Sequence, residues 1–190
     1  MTTTDSRRAA SPAPEVALIV GGGPGISASC ARLFAQSGLS VAMAARRPDK
    51  PVLQALAQSH GVRTYGCDAA DAASVAALFD QVTRELGAPR LVVHNIDGRV
   101  PGIFRKGITE ADPAFALDTL RNAAFSAFLV GQQAARALLA NPPDANGARG
   151  TFVITNASAA LKGFPASSAF AMACQAKTGL AQSMARELMP

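Results

Sequence analysis

The residues best suited to chemistry stand near the front of the chain. There Val16-Ala-Leu-Ile-Val20 runs into Gly21-Gly22-Gly23-Pro24-Gly25-Ile26-Ser27, and an amphipathic stretch follows as far as Gly38. An aliphatic run, a glycine-rich turn and a 3.6-period stretch predict a buried strand, a tight turn and a helix. Such a turn seats the pyrophosphate of a dinucleotide. Gly21 and Gly25 lack the Cβ atoms that would bar close backbone approach. The helix opening near Gly25 turns unpaired N–H groups and the positive end of its dipole toward an anion. The bland alternative is a strand-to-helix turn that holds nothing.

Other chemistries find little support. Cys30, Cys67 and Cys174 are far apart, and with only His60 and His94 beside them no zinc site is expected. Reduced thiols fit a cytoplasmic setting. The net charge of +5 is scattered and aromatics make up 5% of the chain, so no nucleic-acid partner is expected. No apolar run approaches the roughly 18 residues of a membrane span. The polar start, Met1–Pro14, is expected to be a disordered tail. Ser6-Arg7-Arg8 faintly resembles a twin-arginine signal. The apolar run after it, Val16–Val20, is too short for a signal core and leads into the glycine turn.

The turn must be held by regular elements, and strand and helix patterns alternate along the chain. Strands are predicted at Val16–Gly21, Leu39–Ala45, Val62–Gly66, Leu91–Asn95 and Thr151–Thr155. Helices are predicted at Gly25–Ser37, Pro51–Ser59, Ala72–Leu86, Pro113–Ala140 and Ser167–Leu188. Gly38, Gly61 and Gly87 suit helix C-termini, and Asp71 or Ser74 suits the start of the third helix. The expected fold is α/β: a Rossmann-type doubly wound parallel sheet in three α/β/α layers. Right-handed crossovers give it strand order 3-2-1-4-5. Residues 15–190 are expected to form one dinucleotide-binding domain.

With these segments in line, the chain resembles the short-chain dehydrogenase/reductases over nearly all of Val16–Pro190. The family turn Thr-Gly-x-x-x-Gly-x-Gly matches Val20–Ser27, with Gly21 and Gly25 kept and Val20 and Ser27 different. At the third glycine position Ser27 either crowds the helix slightly or turns its hydroxyl to a phosphate. Gly21, Gly23, Gly25, Ile26 and Ser27 are the contacts the resemblance implies on the phosphate side. Roughly 20 residues on, NAD-binding folds place an acid against the ribose 2′-hydroxyl. Here the residues are Ala44-Ala45-Arg46-Arg47, with no carboxylate to repel a 2′-phosphate and arginine to grip it. NADP(H) is therefore favoured over NAD(H), with ordinary surface charge as the plainer alternative. After the third strand comes Cys67-Asp68, where the resemblance implies an aspartate on the adenine amino group. His94-Asn95-Ile-Asp-Gly98 resembles the family's Asn-Asn-Ala-Gly segment. Asn95 is kept, and His94 is expected to be a packed histidine rather than a proton shuttle.

The catalytic pattern departs from the family. The family uses serine, tyrosine and lysine, with an asparagine on the preceding helix. Tyrosine is the acid, lysine lowers its pKa and holds the ribose, and serine orients the substrate. Aligned through Ala181–Glu187, the tyrosine position falls on Phe170 and the lysine position on Cys174. The asparagine position falls on Ala123, with Asn122 one residue early and about 100° away on a regular helix. The single tyrosine, Tyr65, lies on the third strand. Ser158 is the plausible serine, as either a substrate contact or a loop cap. Lys177 returns to the face of Phe170 two turns on, as either a stem reaching the ribose or a solvated lysine. Cys174 becomes a nucleophile only beside a cation or base, and a buried inert thiol is the default. A hydrolase is set aside: Gly25-Ile-Ser27-Ala-Ser29 lacks the closing glycine of a nucleophile elbow.

The resemblance also implies two further strands and a substrate lid after Ser167–Leu188, and a homo-oligomer through the two long helices. The expected activity is that of an NADP(H)-binding oxidoreductase on a small carbonyl or alcohol, with a degenerate triad. The alternatives are a dinucleotide-binding or regulatory protein without turnover, or a double-bond reductase protonated by water.

Overall fold

The computed structural model describes residues 14–189, so the tail expected over Met1–Pro14 lies outside it apart from Pro14. Its frame is a five-stranded sheet in the order β3-β2-β1-β4-β5, every pair parallel. The strands are β1 (Val16–Val20), β2 (Ser40–Ala45), β3 (Arg63–Gly66), β4 (Pro89–His94) and β5 (Thr151–Ile154). β1 lies at the centre with all five residues buried, as a strand covered on both faces requires. Its side chains alternate between two cores. Leu18 and Val20 pack with Val75, Phe79 and Val130 on one face of the sheet. Ile19 packs with Ala28, Met43 and Leu53 on the other. This is the doubly wound α/β/α arrangement the alternation predicted.

The helices are α1 (Ile26–Gln36), α2 (Pro51–His60), α3 (Ala72–Leu86), α4 (Pro113–Leu120), α5 (Ser126–Ala140) and α6 (Ser168–Leu188). Asp71 caps α3 by accepting the Ser74 N–H at 2.7 Å. Gly61 closes α2 in the left-handed region, φ +65°. No described helix is long and apolar enough to cross a membrane.

One predicted element differs. The helix expected over Pro113–Ala140 is interrupted by a π turn, Arg121–Phe125, between α4 and α5. An extra residue in one turn advances everything before it around the axis relative to everything after it. The loop after β4 lies against this turn: Gly98, at φ +79°, approaches so closely that a Cβ there would meet Ala123 at 2.5 Å. The sheet thus ends, at the carboxyl edges of β1, β2 and β4, in a crevice faced by the glycine turn, the β4 loop and the π turn. Ligands bind at this switch point in open α/β sheets.

Candidate functional site

The crevice holds about 300 Å³ and is lined by Gly21, Arg46, Asp68, Asn95, Arg99 and Asn122, among others. Its floor is built from the glycine turn. Gly21 and Gly22 both donate to the Ala44 carbonyl, at 3.0 and 2.8 Å, tying the turn to the end of β2. Gly21 sits at φ +106°, and a Cβ there would run into the Asn95 carbonyl. Only glycine fits that position. Beyond it, Gly23 and Gly25 face open space. α1 opens without a side-chain cap, and the Ser29 N–H is bonded to the Gly25 carbonyl at 3.1 Å. The amides just ahead of Ser29 form the first turn of a helix N-terminus that suits an anion.

Ser27 takes neither role expected of it. Its buried hydroxyl donates to the Gly21 carbonyl at 2.7 Å and accepts from Asn95 Nδ2 at 2.7 Å. The Asn95 Oδ1 in turn accepts from the Thr155 hydroxyl at 2.8 Å. Ser27, Asn95 and Thr155 form one bridge from the glycine turn across β4 to the end of β5. Thr155 went unmarked in the sequence, because only the strand order places it beside Asn95.

At the far end, Arg46 lines the crevice, whereas Arg47 and Asp49 lie outside it. Lys50, not singled out from sequence, joins Arg46 there and donates to the Gly22 carbonyl at 3.3 Å. Cys67 and Asp68 line the opposite wall. Burial pushes the Cys67 thiol up. Asp68 is oriented by accepting the Ala70 N–H at 3.0 Å.

At the near end, the ring of Phe170 carries the guanidinium of Arg99 at 4.4 Å, and the ring of Phe104 lies 5.1 Å from the same group. Both distances are within cation–π range. Arg99 Nε donates to both oxygens of Asp97 at 2.9 Å. Cys174 is fully buried one turn below Phe170, and desolvation raises its pKa more than the nearby Lys177 charge lowers it.

Lys177 is only 3% exposed, so the solvated reading does not hold. Its ammonium donates to the Thr155 carbonyl at 3.0 Å and the Ile96 carbonyl at 3.5 Å, and burial lowers its pKa. Helical periodicity gave its direction but not its depth. The long stem carries the charge from α6 to the ends of β4 and β5.

Asn122 also lines the crevice, while Ala123 is buried beneath Gly98. The 100° offset assumed a regular helix, and the π turn makes that assumption fail. Ser158 begins a one-turn 3-10 helix that has no side-chain cap, and it is exposed outside the crevice.

His94 is fully buried behind the site. Ser126 Oγ donates to the Asn122 carbonyl at 2.5 Å, so it accepts from His94 Nε2 at 2.9 Å. That fixes the proton on Nε2 and leaves Nδ1 with no partner. Burial, helped by the Lys177 charge, pushes the His94 pKa down to about 3. Tyr65 lies in the core and donates to Glu85 at 3.0 Å, with its pKa pushed up to about 12, mainly by burial.

This sheet order is that of the short-chain dehydrogenase/reductases. The profile of the enoyl-(acyl carrier protein) reductase family matches residues 21–190. The chain belongs to the short-chain dehydrogenase/reductase family. It is 39% identical over 89 residues to an uncharacterized oxidoreductase of Caenorhabditis elegans, covering 44% of this chain and 28% of that protein. It is 37% identical over 91 residues to a probable 2,4-dienoyl-CoA reductase of the same organism, covering 44% and 29%. The matches thus span under a third of either relative. A short-chain dehydrogenase structure from Rhodopseudomonas palustris superposes with a TM-score of 0.80 at 27% identity, covering 93% of this chain and 79% of the other.

Proposed function

We propose that this chain is an NADP(H)-dependent oxidoreductase acting on a small carbonyl compound. The observation that carries the reading is the crevice itself. Its floor admits only glycine at Gly21, and Arg46 and Lys50 line it where no carboxylate stands at the end of β2. The residues present fit the dinucleotide. The open backbone from Gly23 to Ile26 would hold the diphosphate, Arg46 and Lys50 would hold the 2′-phosphate, and Asp68 would accept from the adenine amine. When bound, the nicotinamide supplies the hydride.

Phe170 has no proton to give, and that narrows the chemistry. A carbon–carbon double bond conjugated to a carbonyl suits the site best. Such a substrate would take its final proton at carbon from water, so its reduction would need no acid at position 170. Lys177, held at the ends of β4 and β5, contributes positive charge beside the site. Asn122 takes the positioning role that the family gives to an asparagine on this helix. The enoyl reductase family profile and the probable dienoyl-CoA reductase among the relatives support the same choice.

A second reading, a dinucleotide-binding protein without turnover, is favoured by Phe170 and Cys174 standing where tyrosine and lysine serve in the family. Conjugated enones and saturated ketones, tested with NADPH, separate the two. The expected result is slow ketone reduction, faster enone reduction, and a gain on ketones of about tenfold or more in Phe170→Tyr, because Lys177 already supplies the cation. No turnover by either form, with normal NADPH binding, would favour the second reading.

A homo-oligomer belongs to the same proposal. Leu117, Phe125 and Phe128 are exposed along α4, the π turn and α5, and they line an apolar groove closed by Leu180 of α6. So does a cytoplasmic setting that keeps the three cysteines reduced.

A further inference from the structure

Beside the dinucleotide crevice lies a second, smaller cavity of about 60 Å³, and Arg99 lines both. Its other charged walls are Arg105 and Lys106, Ser167 and Ser168 add hydroxyl groups, and no carboxylate lines it. Phe104 and Phe170, which also line it, lie against the Arg99 guanidinium. Among the described residues, the two non-glycine residues with left-handed backbone are Arg105, at φ +57°, and Ala166, at φ +54°. Both line this cavity. Unfavourable backbone of this kind persists where the surrounding structure over-determines it, and it gathers at functional sites.

The geometry points to an anion site: we infer that the substrate carries a carboxylate or phosphate group, seated on Arg99 with Arg105 and Lys106 beside it. The inference rests on the proposed reductase function and names its substrate class. The two aromatic rings hold the plane of the Arg99 guanidinium. Asp97 occupies Nε alone, with both of its oxygens at 2.9 Å. The four Nη hydrogens, a fork matched to two anionic oxygens, are left over. Asp97 offsets one unit of charge, and Arg105 and Lys106 keep the cavity net positive. The cavity holds little more than the charged group. An anion on Arg99 therefore leaves the rest of a short substrate in the adjoining crevice, which Arg99 also lines.

Matched pairs test this by calorimetry on the full chain, with and without NADPH. One pair is 4-oxopentanoate and its neutral amide. The other is dihydroxyacetone phosphate and dihydroxyacetone. The account expects at least one anion to bind about tenfold or more tightly than its neutral partner. The preferred pair distinguishes carboxylate from phosphate. The preference disappears in Arg99→Ala and shrinks in the Arg105→Ala/Lys106→Ala double variant, whose exposed positions spare the fold. NADPH affinity of the double variant stays unchanged. Equal binding of anion and neutral partner in both pairs, or no binding of either anion at millimolar levels, would overturn it. So would a preference that survives both variants. If the anion preference appears while NADPH fails to bind, the anion site stands and the reductase reading falls.

Discussion

The two ends of the crevice are built on different principles. The dinucleotide end is made of backbone: the amides and carbonyls of the glycine turn, tied to β2 and braced by Ser27, Asn95 and Thr155. The other end, the proposed substrate end, is made of side chains: Arg99 and Asn122 line it, Phe170 and Phe104 flank Arg99, and Lys177 and Cys174 are buried behind it. A backbone site is held by steric constraint and tolerates exchange except where a glycine is required, as at Gly21. A side-chain site is rebuilt by exchange. In the function proposed above, Phe170 and Cys174 take the places of the family's tyrosine and lysine, while Lys177 brings a cation to the ends of β4 and β5 and Asn122 lines the crevice. The difference teaches that a backbone site is written in one local segment, whereas a side-chain site depends on which segments the fold brings together.

The strongest test of the backbone end is Gly21→Ala. It forces a Cβ toward the Asn95 carbonyl at a left-handed φ, and the expected cost is about 3 kcal/mol or more, read by urea unfolding. A loss under about 1 kcal/mol would mean that this floor is not rigid.

A smaller effect probes the packing behind the substrate end. Burial holds the folded pKa of His94 at about 3, against 6.5 for the ordinary side chain. Between these values the unfolded chain binds a proton that the native chain does not. The His94 contribution to stability is therefore complete above pH 6.5 and is lost as pH drops toward 3. The slope is about 1.4 kcal/mol per pH unit inside that window. His94→Gln should flatten this contribution in chemical denaturation run across the same pH range. An unchanged slope would place the acid sensitivity elsewhere.

The smallest effect separates the thiols. Cys30 is partly exposed, whereas Cys67 and Cys174 are buried. Iodoacetamide should label Cys30 first in the native protein, as read by mass spectrometry. Fast labelling of Cys174 would show the substrate end to be open or its thiol activated.

The fold was legible because its determinants are local or periodic. Val16–Val20 reads as a buried strand, Gly21 as a position barred to side chains, and Asp71 as a cap. The floor bridge was only half legible. Asn95 stood out, but Ser27 and Thr155 take their meaning from strands brought together by the topology. The substrate end hid most. A π turn has no local signature, so Asn122 was placed on the wrong face. Lys177 lay on the right face at an unknown depth. Arg99 is positioned by two rings, on Phe104 and Phe170, and one of them is distant in sequence.

The most direct test of the account is calorimetric titration of the full chain with NADPH and NADH, repeated on Arg46→Ala. The account predicts that both nucleotides bind and that NADPH binds about tenfold more tightly. That advantage should be lost in Arg46→Ala. Folded protein that binds neither nucleotide at millimolar levels would contradict it.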